Sequence, residues 1–306
     1  MATRAMANSS GEHWRAVLIT GPTASGKSAY AIARAEAAGG VVINADSMQV
    51  YDTLRVLTAR PSVEDMQGIP HYLYGHVPAG GDYSTGAWLR DMEVLLKRLE
   101  AEGRVPVIVG GTGLYFKALT EGLAAMPPVP AEIRAKWREA LAEEGATALH
   151  AQLLAIDPVM GGRLSPSDGQ RIVRALELFE ASGRSIADFQ AENPPPLIDA
   201  ANADKIVVLP ERPVLHARIN RRFETMLEAG AVEEVEALLA LDLDPAAPVM
   251  RAIGVKEIAA MLSGEMSRTE VIEKASAATR QYAKRQMTWF RNQMGPEWKR
   301  LDPARG

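Results

Sequence analysis

The spacing of apolar residues changes character along the chain. Trp14–Thr20 is a short, almost continuous apolar run and predicts a strand. A glycine-rich turn follows, and an alanine-rich segment from about Ser28 to Ala38 predicts a helix. Val41–Ala45 is a second apolar run that ends in a polar cluster. Between Gly86 and Glu102 the rhythm shifts to helical: Trp88, Met92, Leu95, Leu96 and Leu99 recur three or four positions apart. Val105–Val109 then reads as a strand that stops at Gly110–Gly111. Strands alternating with amphipathic helices predict an α/β domain with a parallel sheet.

The middle of the chain follows another pattern. Ala131–Ser182 carries helical spacing and no strand signal. Proline clusters bracket it, Met126-Pro127-Pro128-Val129-Pro130 before and Glu192-Asn193-Pro194-Pro195-Pro196 after. Ile206–Leu209 resumes strand character, and helices continue to about Gln293. The organisation expected is an α/β core, residues 13–125 and 200–306, interrupted by an all-helical insertion, residues 126–199. No internal repeat or low-complexity tract is visible.

Composition narrows the chemistry. The 306 residues carry a formal charge of −4 and contain no cysteine. A disulfide scaffold, a thiol nucleophile, a thiolate zinc site and an iron–sulfur cluster are thereby excluded. The longest apolar runs are strand-sized, far short of the roughly 20 residues of a membrane span. Met1–Glu12 is small and polar, without the apolar stretch of a signal peptide. A cytoplasmic protein with a frayed N-terminal tail is expected. Of the five histidines, His71 and His76 alone approach metal-ligand spacing.

Gly21-Pro22-Thr23-Ala24-Ser25-Gly26-Lys27-Ser28 fits G-x-x-x-x-G-K-[ST] in full, after a strand and before a helix. Consecutive backbone N–H groups in such a loop form an anion cradle, and the following helix adds its positive end. Lys27 can neutralise a phosphate, and the Ser28 hydroxyl can join a Mg²⁺ shell. The motif specifies a polyphosphate; it does not specify which one. Asp46, in Asn44-Ala45-Asp46-Ser47-Met48-Gln49, reads either as a magnesium-holding acid or as a general base, with a simple turn cap as the plain alternative. Gly110-Gly111-Thr112-Gly113 lets backbone approach a ligand at a strand end, or packs Tyr115 and Phe116 into a core. Basic residues gather in Arg212–Arg222 and Arg280–Arg300, the latter interleaved with Trp289, Phe290 and Trp298. In a chain of net negative charge this pattern suits RNA; for any single segment taken alone, a solvated helix face is the favoured reading.

Taken together, GPTASGKS (residues 21–28), NADSMQVY (44–51), TARP (58–61), GGTGLYFKAL (110–119), QRIVRALEL (170–178), LHARINRRFETML (215–227), RAIGVKE (251–257) and TRQYAKRQMTWFR (279–291) resemble the tRNA dimethylallyltransferase family, also called tRNA isopentenylpyrophosphate transferases. The resemblance runs in family order over nearly the full chain. It implies a P-loop NTPase-like core with an inserted helical domain that grips the tRNA anticodon stem-loop. It implies transfer of a dimethylallyl group from dimethylallyl diphosphate to N6 of the adenine 3′ of the anticodon, in tRNAs reading codons that begin with U. Asp46 then matches the family's catalytic acid and Thr112 its site threonine. Gly21, Pro22, Thr23, Ala24, Ser25, Gly26, Lys27, Ser28 and Arg222 would hold the diphosphate, with Mg²⁺ at Ser28. Asp46, Ser47, Met48, Gln49, Thr112, Arg134, Gln170, Arg171, Ile172, Val173, Arg174, Arg251, Lys256, Lys284, Arg285 and Arg291 fall in tRNA-contacting stretches. A monomer is expected. The chain departs from the family at Leu57 (usually Gly), Arg60 (usually Lys), Val255 (commonly aromatic) and the run His71–Gly75. The competing reading is a P-loop small-molecule kinase, which would consume the γ-phosphate of ATP.

Overall fold

The computed structural model describes residues 15–303; Met1–Glu12, His13 and the expected strand start at Trp14 lie outside the described residues. The first stretch contains β1 (Ala16–Thr20), α1 (Lys27–Ala37), β2 (Val41–Asn44), β3 (His71–Tyr72), α2 (Thr85–Ala101), β4 (Pro106–Gly110) and α3 (Gly113–Glu121). The helical middle comprises α4 (Ala131–Ile156), α5 (Pro158–Arg163), α6 (Gly169–Ser182) and α7 (Ile186–Ala191). The chain then continues through β5 (Ala203–Val208), α8 (Arg212–Glu228), α9 (Ala231–Leu239), α10 (Val255–Leu262), α11 (Arg268–Gln293) and β6 (Lys299–Leu301).

All six strands join one parallel sheet in the order β3-β2-β4-β1-β5-β6. The expected mixed α/β class with a parallel sheet is what the chain forms. Strand residues alternate between two buried faces, as parallel sheets covered on both sides require. Leu18, Ile43, Ile108 and Val207 face Trp88, Met92 and Leu96 of α2, Tyr115 and Phe116 of α3 and Phe290 of α11. Ile19, Val42, Val107 and Val208 face Ala31, Ile32 and Ala35 of α1. In α2 the five apolar positions that set the helical rhythm are its five buried residues, and Ser84 caps the helix by accepting from Ala87 N. Two strands escaped the pattern because they are too short to show alternation: β3 has two residues and β6 three.

Contacts divide the chain into two compact units: residues up to Thr120 together with those from Leu197, and Glu121–Pro196. The divisions fall before the expected joints at 126 and 199. Gly122, at φ 82, turns the chain out of α3 ahead of the prolines. On return, Ile198 is already buried in the sheet's core and donates its N–H to Leu119 O. The second unit has its own core, which includes Trp137, Leu149, Leu153, Ile172, Leu176 and Phe189. Within α4, Gly145 at φ 80, ψ 165 interrupts the helix. A further apolar cluster in the first unit packs the 50–57 segment against α8, α9, α10 and α11.

Candidate active site

The C-terminal ends of β1, β2 and β4 lie side by side, and the loops leaving them build the site. This is where parallel sheets offer a crevice. The loop after β1 carries the phosphate motif. Its last glycine, Gly26, caps α1 at φ 91, a conformation that a side chain would strain. Ser25 N donates to Pro22 O at 3.2 Å, and Lys27 Nζ donates back to the same carbonyl at 3.2 Å. Arg218 Nη1 of α8 reaches Ser25 O at 3.4 Å. The buried Ser25 Oγ has no protein partner. Residues 23–29 line a cavity of about 690 Å³, shared with Asp46, Gln49, Tyr74, Arg218, Arg221 and Arg222.

Charge is concentrated here. Lys27 is pushed down to about 8, chiefly because its ammonium is desolvated; Asp46 opposes the shift and Arg222 adds to it. Burial also lowers the Arg222 guanidinium from its usual range, with Asp46 again opposing. Lys27 and Arg222, the two buried cations, thus face one carboxylate, with Arg218 and Arg221 on the same cavity. An entering polyphosphate would stabilise Lys27 and Arg222 in their charged forms.

The turn after β2 is held from several sides. Asn44, fully buried at the strand end, donates from Nδ2 to Asp46 O at 2.9 Å and to Leu73 O at 3.0 Å, while its Oδ1 accepts from Asp46 N at 2.9 Å. Asp46 Oδ1 accepts from Met48 N at 2.9 Å, the capping contact that was the plain alternative for this residue. Its Oδ2 lies 3.4 Å from where a Cβ on Gly111 would sit. At Gly110 a Cβ would run into the carbonyl of Ala45, so the second glycine turn exists to let these two strand ends close up. Thr112 N donates to Ala45 O, and Thr112 Oγ1 accepts from Ser47 N at 3.0 Å. Thr112 lines neither of the two cavities around Asp46. The structure therefore gives this expected catalytic threonine a positioning contact. Gln49 is likewise committed: its Nε2 donates to Thr58 O and Ala59 O.

On the far side of Asp46 lies a second cavity of about 320 Å³, lined among others by Met48, Leu57, Phe223, Met226, Ile253, Tyr282, Arg251 and Arg285. Thr23, Ala24, Asp46, Thr58, Ala59 and Arg222 line both cavities. Burial raises the pKa of three tyrosines, Tyr74, Tyr115 and Tyr282, and the Asp46 carboxylate adds to each shift, so their hydroxyls stay protonated. Residues that motif reading passed over are thus prominent: Asn44, Tyr74, Arg218, Arg221 and Tyr282. Asn44 stood inside a quoted motif. Arg218 and Arg221 also stood inside a quoted motif, residues 215–227, from which Arg222 alone was given a site role.

The remaining expected contact residues fall in two groups. Lys256, Lys284, Arg285 and Arg291 are exposed on α10 and α11 of the first unit. Arg134, Gln170, Arg171 and Arg174 are exposed on α4 and α6 of the second unit, with Arg171 near Asp168 and Arg174 near Glu177, both at 3.5 Å. Ile172 and Val173 differ from expectation: both are core residues of that unit, because α6 turns its apolar face inward. Their side chains are not available to a partner.

A family model described as IPP transferase matches residues 49–293, and one described as isopentenyl transferase matches residues 14–81. The chain is 66% identical over 292 residues to a tRNA dimethylallyltransferase of Agrobacterium fabrum, covering 95% of this chain and 98% of that one. The chain belongs to the tRNA dimethylallyltransferase family. Another member, from Rhizobium meliloti, is 66% identical over 287 residues, 94% of this chain and 95% of that one. Among solved structures, the tRNA isopentenylpyrophosphate transferase of Bacillus halodurans superposes with a TM-score of 0.67 at 32% identity, covering 94% and 90% of the two chains. A eukaryotic dimethylallyltransferase acting on tRNA reaches a TM-score of 0.79 at 25% identity, covering 95% of this chain and 75% of that one. Two departures from the family pattern, Leu57 and Val255, fall in one apolar cluster beside Phe223.

Proposed function

We propose that this enzyme, a prenyltransferase that modifies tRNA, takes its dimethylallyl group from dimethylallyl diphosphate and places it on N6 of the adenine 3′ of the anticodon. The supporting observation is that Asp46 stands on the wall common to two cavities. One is lined by the phosphate loop with Lys27, Arg218, Arg221 and Arg222, suited to a diphosphate. The other adds Met48, Leu57, Phe223, Met226 and Ile253 together with Arg251 and Arg285, a mixed lining suited to a flipped base and its phosphates.

In this reading the phosphate loop, Lys27 and Arg222 hold the diphosphate. Asp46 accepts a hydrogen bond from the adenine amino group and orients it toward the allylic carbon. That amine is a weak nucleophile, since its lone pair is delocalised into the ring, so alignment and proton removal both contribute. The C–O bond to the diphosphate breaks as the new C–N bond forms. The N6 proton passes to Asp46, and diphosphate leaves with the bonding electrons. Lys27 and Arg222 offset the charge that develops on it. No protein nucleophile is required.

Mg²⁺ would be held here jointly by protein and substrate. Among the described residues no group of three or more His, Cys, Asp or Glu could hold a metal on its own. Ser28, on the cavity wall, supplies one hydroxyl, and diphosphate oxygens and water would complete a shell of the kind Mg²⁺ prefers. Bound there, the ion would supply further positive charge beside the leaving group.

The deciding experiment incubates the enzyme with Mg²⁺, labelled dimethylallyl diphosphate and an unmodified anticodon stem-loop, with ATP and AMP as parallel substrates. Label in the stem-loop, lost when the target adenine becomes guanine, is the expected result. ATP consumption without labelled RNA, or labelled AMP, overturns the reading.

A further inference from the structure

Among the described polar residues, Gln286 is unusual in being buried on a helix whose neighbouring positions are cationic and exposed. It is 6% exposed, whereas Lys284 and Arg285 beside it face outward. Its carboxamide makes two hydrogen bonds that span the site. Oε1 accepts from Thr23 N of the phosphate loop at 2.9 Å, and Nε2 donates to Gly111 O at 2.9 Å. The orientation of the amide is fixed by its partners, since a backbone N–H can only donate and a carbonyl only accept. Gly111 is the residue that faces Asp46: a Cβ there would collide with Gln286 Nε2 and lie 3.4 Å from Asp46 Oδ2. The adjoining Thr112 N bonds Ala45 O, so the position of Gly111 is passed to the Asp46 turn through one further hydrogen bond. A single side chain thus joins the loop that cradles anions to the turn that carries the carboxylate.

We propose that Gln286 is a positioning residue of the transferase. Its two hydrogen bonds set the distance between the phosphate loop and Asp46, and so align the donor's leaving group with the base. The two halves of the amide have separable duties. The oxygen holds Thr23 N, at the leading edge of the loop. The NH₂ holds the Gly111 turn against Asp46. The inference rests on the phosphate loop taking the donor's diphosphate and Asp46 acting on the acceptor.

The separation of duties gives the test. Gln286→Met keeps length and apolar bulk but removes both bonds. Gln286→Glu keeps an oxygen for Thr23 N and sets a second oxygen against the Gly111 carbonyl. Steady-state transfer from dimethylallyl diphosphate to an anticodon stem-loop is measured for both in the full-length enzyme. Inorganic pyrophosphate serves as a competitive probe that reads the phosphate loop without any chemistry. For Gln286→Met, the donor KM and the pyrophosphate Ki should rise together by about tenfold, as for a buried N–H left without a partner, and kcat should fall by a similar factor. For Gln286→Glu, Ki should stay within about threefold of the parent while kcat falls by about tenfold or more. The KM for RNA should not change in either. Losses that follow only the thermal midpoint or the folded fraction, or the same change in Ki for both variants, overturn the proposal. If Gln286→Met does not fold, the split between Ki and kcat in Gln286→Glu decides alone. A parent enzyme that pyrophosphate does not inhibit would instead overturn the assignment of the phosphate loop.

Discussion

The two walls that meet at Asp46 are built in opposite ways. The phosphate-loop wall comes from consecutive residues, 21–28, and much of its chemistry is backbone N–H and one helix end. The opposite wall draws Met48 and Leu57 from the segment after β2, Phe223 and Met226 from α8, Arg251 and Ile253 from the stretch before α10, and Tyr282 and Arg285 from α11. A backbone cradle tolerates many side chains but needs its glycines. A wall of converging side chains tolerates backbone variation but depends on volume. The first kind is written locally in the chain; the second exists only after folding.

The largest expected effect strikes the residue the walls share. Asp46→Ala should reduce kcat by at least about 10²-fold, as for loss of a positioned base, while tRNA binding changes little. Single-turnover rates close to the parent would separate Asp46 from the chemistry and leave the two cavities unconnected.

The next tests the wall that depends on volume. Phe223 is 4% exposed in the cluster that also holds Leu57 and Val255, and Phe223→Ala should cost about 3–5 kcal/mol of unfolding free energy. Within the same cluster a gentler exchange is available. A Cβ on Gly254 would lie 2.6 Å from Leu57 Cδ1 and 3.1 Å from Phe223 Cε2, so Leu57 fills space directly over this glycine. Where the resemblance leads one to expect Gly at 57 and an aromatic residue at 255, this chain has the larger residue at the first position and the smaller at the second. Leu57→Gly and Val255→Phe should each destabilise, the first by leaving a void and the second by overpacking. Combined, they should destabilise by less than their sum, by about 0.5–3 kcal/mol. Strict additivity in urea unfolding would show that the two departures are independent.

This contrast explains what could be read in advance. The parallel α/β class, the helix with Trp88 and Met92 and the phosphate loop are local patterns of adjacent residues, and the chain forms them. The Asp46 turn could be pointed to but not understood. The roles of Asn44 and Thr112 come from hydrogen bonds to Leu73 and Ser47, partners 29 and 65 positions away. Gln286 meets Thr23 across 263 residues, and no spacing rule reaches that far. Ile172 and Val173 show the converse error. A stretch marked for its arginines also contains the apolar face that α6 needs for its own packing.

The phosphate wall has its own, smaller test in pH. Lys27 is pushed down to about 8 because burial disfavours its charged form. Below that pH the ammonium is present and attracts the diphosphate. As pH rises through about 8 the free enzyme loses this charge, so donor KM should climb while the bound complex, with its lysine held protonated by the anion, keeps its kcat. Lys27→Arg should move the climb to higher pH, since guanidinium does not lose its proton in this range. A donor KM that stays flat from pH 7 to 9.5 would mean that the loop amides alone supply the binding.

The smallest effects belong to the exposed cations, and they separate the two walls from the surface around them. Lys284, Arg285 and Arg291 lie exposed along α11, where a charge meets water at full dielectric and a single phosphate contact contributes little. If they meet RNA, their contribution is counterion release, and it appears as a slope. The logarithm of tRNA affinity should fall steeply with the logarithm of salt, and each of Lys284→Ala and Arg291→Ala should reduce that slope by about one. Arg285 also lines the second cavity beside Asp46. Its replacement should therefore lower kcat as well as the slope, while the other two change the slope alone. Three identical responses would place all three residues on the outer surface, and the boundary between catalytic wall and RNA-facing surface would then lie further inside, at Tyr282 and Arg222.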